Sequence, residues 1–256
     1  MKSPEGIQEF IEYKKSVEKE RPLLTIEPRL ITIDGVDGIG KSTIAKKFVE
    51  KLRKRFGEDK VVLVDITNFR GSPKQEKLGA IAKQENINDL RLDALYAAGV
   101  NRAYEEVIIP ALEQDKIVVA DRSEIDLLRY ALEYSDKESI EKRKKYIQDG
   151  TITHRLWAGN RIFLESNPED AWENLKYREH NSRYDPTSLE EVEANINAQH
   201  EAEKQIESLP YQGEMRIIRE KVARIEDASK REEYFDELIE KLSSSISLSE
   251  AENGDE

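Results

Sequence analysis

The chain contains 256 residues, of which 41 are Lys or Arg and 53 are Asp or Glu, so its net charge is −12. Such an acidic chain is a poor general binder of nucleic acid or anionic membrane, because the phosphates of both repel it. With no cysteine and 3 histidines, the composition argues against disulfides, thiolate or histidine-rich metal sites and cysteine nucleophiles. No apolar run approaches the roughly 18 residues of a membrane span, and we expect a cytoplasmic protein without membrane or nucleic-acid partners.

Short apolar runs alternate with helical patterns along most of the chain. Residues 5–21 carry a sparse apolar stripe that predicts an amphipathic helix within an N-terminal helical extension, 1–27. Strands are predicted over 30–34, 61–65, 117–120 and 161–164. Helices are predicted over 41–56, 73–84, 90–113, 124–147, 168–179, 188–208 and 230–242. The alternation predicts an α/β fold, a three-layer sandwich in which helices cover both faces of a parallel sheet.

Composition predicts the limits of the domain. Residues 28–242 contain no internal repeat and no linker long enough to divide them, which predicts one domain. The Ser-rich, acidic segment 243–256 has too few apolar residues to fold, so a disordered tail is expected. The N-terminal helix is expected to pack on the domain, and binding to a partner is the alternative.

One segment carries a specific chemical motif. Residues 35–42 read Gly-Val-Asp-Gly-Ile-Gly-Lys-Ser, which fits G-x-x-x-x-G-K-S/T between a β-branched strand and an amphipathic helix. Glycines allow the backbone to wrap a phosphate, and the start of the helix adds partial positive charge. Lys41 is expected to reach the terminal phosphates, and the Ser42 hydroxyl to bind Mg²⁺. The alternative is an ordinary glycine turn followed by a surface lysine.

The end of the third predicted strand supplies further candidates. Asp121 and Arg122 follow the run 117–120, and ligands of parallel sheets bind beyond the carboxyl ends of the strands. Asp121 is expected to bind Mg²⁺ or orient the acceptor oxygen, and Arg122 to hold the acceptor phosphate with both prongs. A capping Asp and a surface ion pair are the alternative. The chain lacks the Asn-Lys-x-Asp run of GTPases and the Ser-Gly-Gly-Gln signature of ABC-type ATPases, which favours a small-molecule kinase.

In their order and spacing, these motifs resemble the thymidylate kinase family over about residues 28–242. The phosphate loop resembles G-x-D/E-G-x-G-K-S/T-T, in which Asp37 is the distinctive acidic residue. Residues 95–112 resemble the family helix L-F-A-A-D-R-x-x-x-x-E-x-I-x-P-A-L, and Asp121 follows at the matching distance. Residues 162–171 resemble F-L-D-x-x-P-E-x-A, and Arg178 and Arg183 resemble the arginines of a helical lid over about 176–190.

The resemblance implies a P-loop kinase that uses ATP and Mg²⁺ to phosphorylate a nucleoside monophosphate, dTMP to dTDP, in nucleotide biosynthesis. The expected phosphate-binding residues are Gly35, Val36, Asp37, Gly38, Ile39, Gly40, Lys41, Ser42 and Thr43, with Ser42 and Asp121 at the metal. The expected catalytic residues are Lys41, Asp121, Arg122, Arg178 and Arg183. The expected acceptor-binding residues are Asp37, Arg70, Tyr96, Arg122 and Tyr130. The resemblance also suggests a homodimer.

The acceptor pocket departs from the family pattern. Ser123 stands where the Asp-Arg motif continues with Tyr or His, and Val100 stands where the family has an arginine that contacts the base. Other base-reading polar positions hold Asp126, Leu127 and Ala131 here. Arg70 is a candidate replacement for the missing arginine. Two alternatives therefore stay open: a kinase of another acceptor, such as a deoxynucleoside, and a catalytically degenerate nucleotide-binding protein.

Asp37 is an unusual residue inside a phosphate-binding loop, because its charge disfavours nearby phosphates unless it has a partner. The resemblance implies that its carboxylate accepts a hydrogen bond from the 3′-hydroxyl of the acceptor. Magnesium or a nearby arginine is the alternative partner.

Overall fold

The computed structural model of the chain describes residues 24–66, 90–134, 140–141, 144–145, 156–176 and 186–246. Within them, six parallel strands form one sheet. The strands are β1 Leu24–Gly35, β2 Val61–Asp65, β3 Ile117–Asp121, β4 Leu156–Glu165, β5 Tyr211–Gln212 and β6 Arg216–Lys221. Their order is β2-β3-β1-β4-β6, and β5 pairs with the start of β1. The segment after β1 therefore emerges near the middle of the carboxyl edge of the sheet.

Helices cover both faces of this sheet. In the described residues they include α1 Lys41–Phe56, α2 Leu90–Ala103, α3 Ile109–Glu113, α4 Ile125–Tyr134, α5 Pro168–Lys176, α6 Leu189–Glu207 and α7 Ala228–Ser245. Helices α1 and α7 share one core with Ile33 and Ile162 of the sheet. Helices α2, α4 and α6 share the opposite core with Leu30 and Phe163. The predicted α/β sandwich is confirmed, and β1 contributes to both cores because alternate strand residues point to opposite faces.

The helix predicted over 90–113 changes type along its length. A π-helical turn, Tyr104–Ile108, separates α2 from α3. Pro110 is the second residue of α3, and it has no N–H to donate to the preceding turn, which favours a widened turn at this point. The turn buries Tyr104 and Ile108 in the core that α2 shares with the sheet.

The first strand begins earlier than predicted, which corrects the extent of the N-terminal extension. Residues 24–27 belong to β1, where Thr25 pairs with Leu156 of β4. Pro28 lies where the β1–β4 register shifts, and such an irregularity accommodates a proline within a sheet. Gly159 makes room for it, since a Cβ on Gly159 would lie 2.6 Å from the Pro28 Cα. The helix expected over 5–21 lies outside the described residues.

The end of the domain lies later than predicted. Helix α7 continues to Ser245, so the predicted tail, 243–256, begins inside a helix. Ser243 and Ile246 are buried, because this end of α7 still covers the sheet.

Strand β6 was not predicted from the sequence. It lies at the edge of the sheet, and only two of its residues are apolar, with charged residues on both sides of them. The helix expected over 73–84 and residues 247–256 lie outside the described part of the chain.

Candidate active site

The phosphate loop connects β1 to α1 at the carboxyl edge of the sheet. Gly38 and Gly40 have φ angles of 85° and 91°, which L side chains rarely adopt. A Cβ on Gly38 would also lie 2.6 Å from the Ala171 carbonyl oxygen. The glycines therefore allow the loop to turn tightly in front of α1, which begins at Lys41. The amides at the start of a helix can bind an anion at this position.

Lys41 is buried, with 6% of its surface exposed, so the alternative of a surface lysine is wrong. Its Nζ donates a 2.7 Å hydrogen bond to the Val36 carbonyl oxygen and lies 3.6 Å from Asp37 Oδ1. Burial, followed by the charge of Arg122, lowers the pKa of Lys41 to about 8. The ammonium group is thus held against the loop, where it can meet a phosphate bound by the loop amides.

Asp121 ends β3 beside β1, where the register pairs it with Ile33. Its side chain is buried, and Oδ1 has no hydrogen-bond partner within the described part of the chain. Burial raises the pKa of Asp121, and a hydrogen bond from the Ser42 hydroxyl acts in the opposite direction. The two residues predicted to share a metal ion therefore lie side by side.

Arg122 has an unusual backbone conformation, with a φ of 78°. Its N–H donates to the Ile33 carbonyl oxygen at 2.9 Å, which ties the residue to the end of β1. In the side chain, Nη2 contacts Asp37 Oδ1 and Nη1 donates to Asp126 Oδ2 at 2.7 Å. The two prongs of the guanidinium group therefore contact two different carboxylates, one in the phosphate loop and one in α4.

Arg129, which we did not single out from the sequence, joins the same network. Its fully buried side chain places Nε 3.2 Å from Asp126 Oδ1 and Nη2 3.8 Å from Asp37 Oδ2. Burial alone raises the pKa of Asp37, but the charges of Arg122, Lys41 and Arg129 hold it well below its usual range. An arginine is thus one partner of Asp37, while the contact with a sugar hydroxyl stays a prediction.

A further set of buried polar residues lies between the sheet and α4. The Ser123 hydroxyl donates to Asp34 Oδ1 at 2.8 Å, and Arg161 Nη2 lies 2.5 Å from Glu124 Oε1. Burial raises the pKa of Asp34 to about 7, although the charge of Arg161 opposes this rise. Sequence reasoning missed these contacts. The available signal was the charged residue Arg161 at the start of the predicted apolar strand, 161–164.

Several predicted site residues lie outside the described part of the chain. They are Arg70, Arg178, Arg183 and the side chains of Tyr96 and Tyr130. The backbone of Tyr96 belongs to α2, and that of Tyr130 belongs to α4. Val100 and Leu127, at two base-reading positions of the family pattern, are buried in the apolar core. Recognition of a base therefore requires other residues.

The arrangement is suited to binding phosphate groups. The loop amides, Lys41 and Arg122 supply positive charge, and Asp121 supplies a buried oxygen beside Ser42. Across the described ranges, no group of three or more His, Asp or Glu side chains could hold a metal ion. A magnesium ion at Ser42 and Asp121 would therefore share its coordination with phosphate and water, as is common for Mg²⁺.

None of the helices in the described ranges has a stretch apolar enough to cross a bilayer.

Sequence comparisons point to one family. A family model described as thymidylate kinase matches residues 33–232. The thymidylate kinase of Mycoplasma mobile is 36% identical over 94 residues, which cover 36% of this chain and 45% of that protein. The enzyme of Vibrio campbellii is 33% identical over 132 residues, which cover 50% of this chain and 60% of that protein. The chain thus spans about half the length of these curated relatives.

A solved structure provides an independent comparison of the fold. The thymidylate kinase of Ehrlichia chaffeensis aligns with a TM-score of 0.54 over 85% of this chain and 98% of its own. The two sequences are 17% identical, so this likeness concerns the fold. It agrees with the parallel sheet and the helices on both of its faces.

Proposed function

The chain belongs to the thymidylate kinase family, and on that premise we propose that it transfers the terminal phosphoryl group of ATP to dTMP, giving dTDP and ADP. One observation carries the proposal: Lys41 and Arg122 both meet the Asp37 carboxylate. The cation expected at the donor phosphates and the cation expected at the acceptor phosphate thus have a common anchor. This arrangement supports binding of the two phosphates at neighbouring positions, which is most of what phosphoryl transfer requires.

On the donor side, the loop amides and Lys41 bind the terminal phosphates of ATP. Family members in general use ATP and a divalent metal ion, and the residues present fit Mg²⁺. Asp121 Oδ1 is buried without a partner among the described residues, and the Ser42 hydroxyl lies beside this carboxylate. We assign these two side chains to the metal, which neutralises charge on the β- and γ-phosphates when bound. Thr43 and the backbone of 35–40 complete the donor site.

On the acceptor side, Arg122 holds the phosphate of dTMP. Its two prongs contact the carboxylates of Asp37 and Asp126 in this structure, and a guanidinium group of this kind can hold a phosphate with both prongs. Asp37 is ionised at neutral pH, because its pKa is held low, and it accepts a hydrogen bond from the 3′-hydroxyl of the sugar. The protein contributes mainly position and charge, since little covalent chemistry is needed at a phosphoryl group.

The remaining assignments follow from family resemblance. Arg70 assists Arg122 at the acceptor, while Arg178 and Arg183 stabilise the charge that develops on the transferring group. Tyr96 and Tyr130 flank the base. The same resemblance favours a homodimer, which sedimentation analysis tests separately.

The experiment is a turnover assay on a panel of acceptors with ATP and Mg²⁺. The panel contains dTMP, the other nucleoside monophosphates and the deoxynucleosides, and ADP release is measured for each. The proposal predicts the highest kcat/KM with dTMP. Preference for a deoxynucleoside would favour the first alternative, and nucleotide binding without turnover would favour a degenerate binding protein.

A further inference from the structure

A fully buried ion pair lies two residues from Arg122. Arg161 of β4 places Nη2 2.5 Å from Glu124 Oε1, and neither side chain reaches solvent. The Arg161 guanidinium also lies 4.8 Å from the ring centroid of Trp157, and the Tyr104 hydroxyl forms a hydrogen bond with the Glu124 side chain. Within the described residues, Arg161 Nε and Nη1 and Glu124 Oε2 have no hydrogen-bond partner.

Stability is a poor explanation for this pair. Removing two charges from water is costly, and the cost is recovered only when the remaining donors and acceptors are also satisfied. Three atoms of this pair are not satisfied within the described residues. Apolar side chains of similar volume often replace such a pair without loss of stability. Its position next to Arg122 offers another explanation.

The turn that carries Arg122 is held at three successive residues. Arg122 itself, with its φ of 78°, is tied through its N–H to the Ile33 carbonyl oxygen. Ser123 is tied to Asp34 of β1 through the 2.8 Å hydrogen bond from its hydroxyl. Glu124 is tied to β4 through Arg161. A left-handed backbone at an arginine is unfavourable and persists only when surrounding contacts enforce it.

We propose that the Glu124–Arg161 pair is a positioning device that holds the turn at 121–124 in this conformation and so aims the Arg122 guanidinium at the acceptor phosphate. Glu124 and Arg161 act through Arg122 and do not themselves touch the substrate. The inference rests on the proposed function for the identity of the acceptor. The placement of Arg122 itself is independent of that identity.

The test replaces both charges together, because removing one alone leaves the other buried and unpaired. The variant is Glu124→Leu/Arg161→Met, whose side chains are apolar and similar in size. It is expected to melt within about 5 °C of the wild type, while the acceptor KM rises about 10-fold to 100-fold, the effect of a misplaced positioning group. The KM for ATP is expected to change less than the acceptor KM, because Lys41 keeps its hydrogen bond to the Val36 carbonyl oxygen.

The matched control is the exposed ion pair between Arg102 Nε and Glu106 Oε1, which are 2.9 Å apart. The variant Arg102→Gln/Glu106→Gln removes two charges of the same kinds and is expected to leave both KM values unchanged. If the first double variant does not fold, Glu124→Gln serves instead, since it keeps the volume and an acceptor oxygen for Arg161. The charge-retaining variant Arg161→Lys is expected to give an intermediate acceptor KM.

A crystal structure of the double variant supplies a readout independent of activity. Positioning predicts that Arg122 relaxes from its positive φ and that its Nη1 leaves Asp126. An Arg122 that keeps its φ near 78°, or an acceptor KM within about twofold of the wild type, overturns the proposal. A wild type that transfers phosphate to no acceptor overturns the proposed function instead, and the conformation of Arg122 then decides the positioning inference alone.

Discussion

The buried carboxyl group of Asp34 makes the stability of the protein depend on pH. Its carboxyl group is buried and accepts a hydrogen bond from the Ser123 hydroxyl. Burial is the main cause that raises its pKa to about 7, the charges of Asp126 and Glu124 add to the rise, and Arg161 opposes it. The native chain therefore retains this proton up to a pH at which the unfolded chain has lost it.

The raised pKa of Asp34 makes the protein less stable as the pH rises. Between the ordinary pKa of 3.8 and the native value of about 7, the native state binds more protons than the unfolded state, so the contribution of Asp34 to stability falls as pH rises. At about 1.4 kcal/mol for each pKa unit, the full contribution is about 4 kcal/mol. Above about pH 7 this group adds no further pH dependence.

The perturbation is Asp34→Asn, which keeps the volume and an acceptor oxygen for Ser123 but cannot ionise. We expect the free energy of unfolding of the variant, minus that of the wild type, to rise by about 3 kcal/mol between pH 4 and pH 7, because part of the full change lies outside this interval. Urea denaturation at half-unit pH intervals measures this difference. Glu203→Gln is a matched comparison, because burial also raises the pKa of Glu203, on α6, to about 7. Parallel pH profiles for the wild type and Asp34→Asn would refute the reasoning.

Three further predictions concern the site and the end of the domain. Arg122→Lys is expected to lower kcat/KM for the acceptor about 100-fold, because lysine lacks the two-pronged geometry, and unchanged kinetic constants would remove Arg122 from the site. Asp37→Ala is expected to lower kcat/KM by about 10-fold to 100-fold or more, because it removes the proposed hydrogen bond to the sugar and also the shared partner of Lys41 and Arg122. It should also abolish discrimination between an acceptor and its 3′-deoxy analogue, whereas discrimination as strong as in the wild type would contradict the sugar contact. A chain ending at Ile246 is expected to match the full-length chain in activity and melting temperature, while a chain ending at Leu242 melts several degrees lower because it loses buried residues of α7. Equal melting temperatures of the two truncated chains would contradict the conclusion that residues 243–246 belong to the folded domain.

The parts of the fold that depend on local sequence pattern could be predicted. The repeat of Ile44, Phe48 and Leu52 predicts α1, which spans the expected 41–56. The glycines of the phosphate loop indicate both its place after a strand and its tight backbone, because few other sequences allow positive φ angles there. The placement of Asp121 at the end of a central strand follows from the order of strands in a parallel sheet.

Contacts between distant segments could not be predicted from local pattern. Arg122 and Asp37 are 85 residues apart, and Arg161 and Glu124 are 37 residues apart. An arginine on a helix is normally exposed, so nothing local indicates that Arg129 is buried beside the loop. The early start of β1 has a related cause, since the place of Pro28 within this strand depends on Gly159, a residue of another strand.

The central claim is tested most directly by following the phosphoryl group itself. The wild-type chain is incubated with Mg²⁺, dTMP and ATP labelled at its γ-phosphorus, and the labelled products are separated. Our account predicts label in the β-phosphate of dTDP, with no transfer by Lys41→Ala. Absence of labelled dTDP from a folded wild-type chain that binds ATP, or equal labelling by Lys41→Ala, would contradict the account.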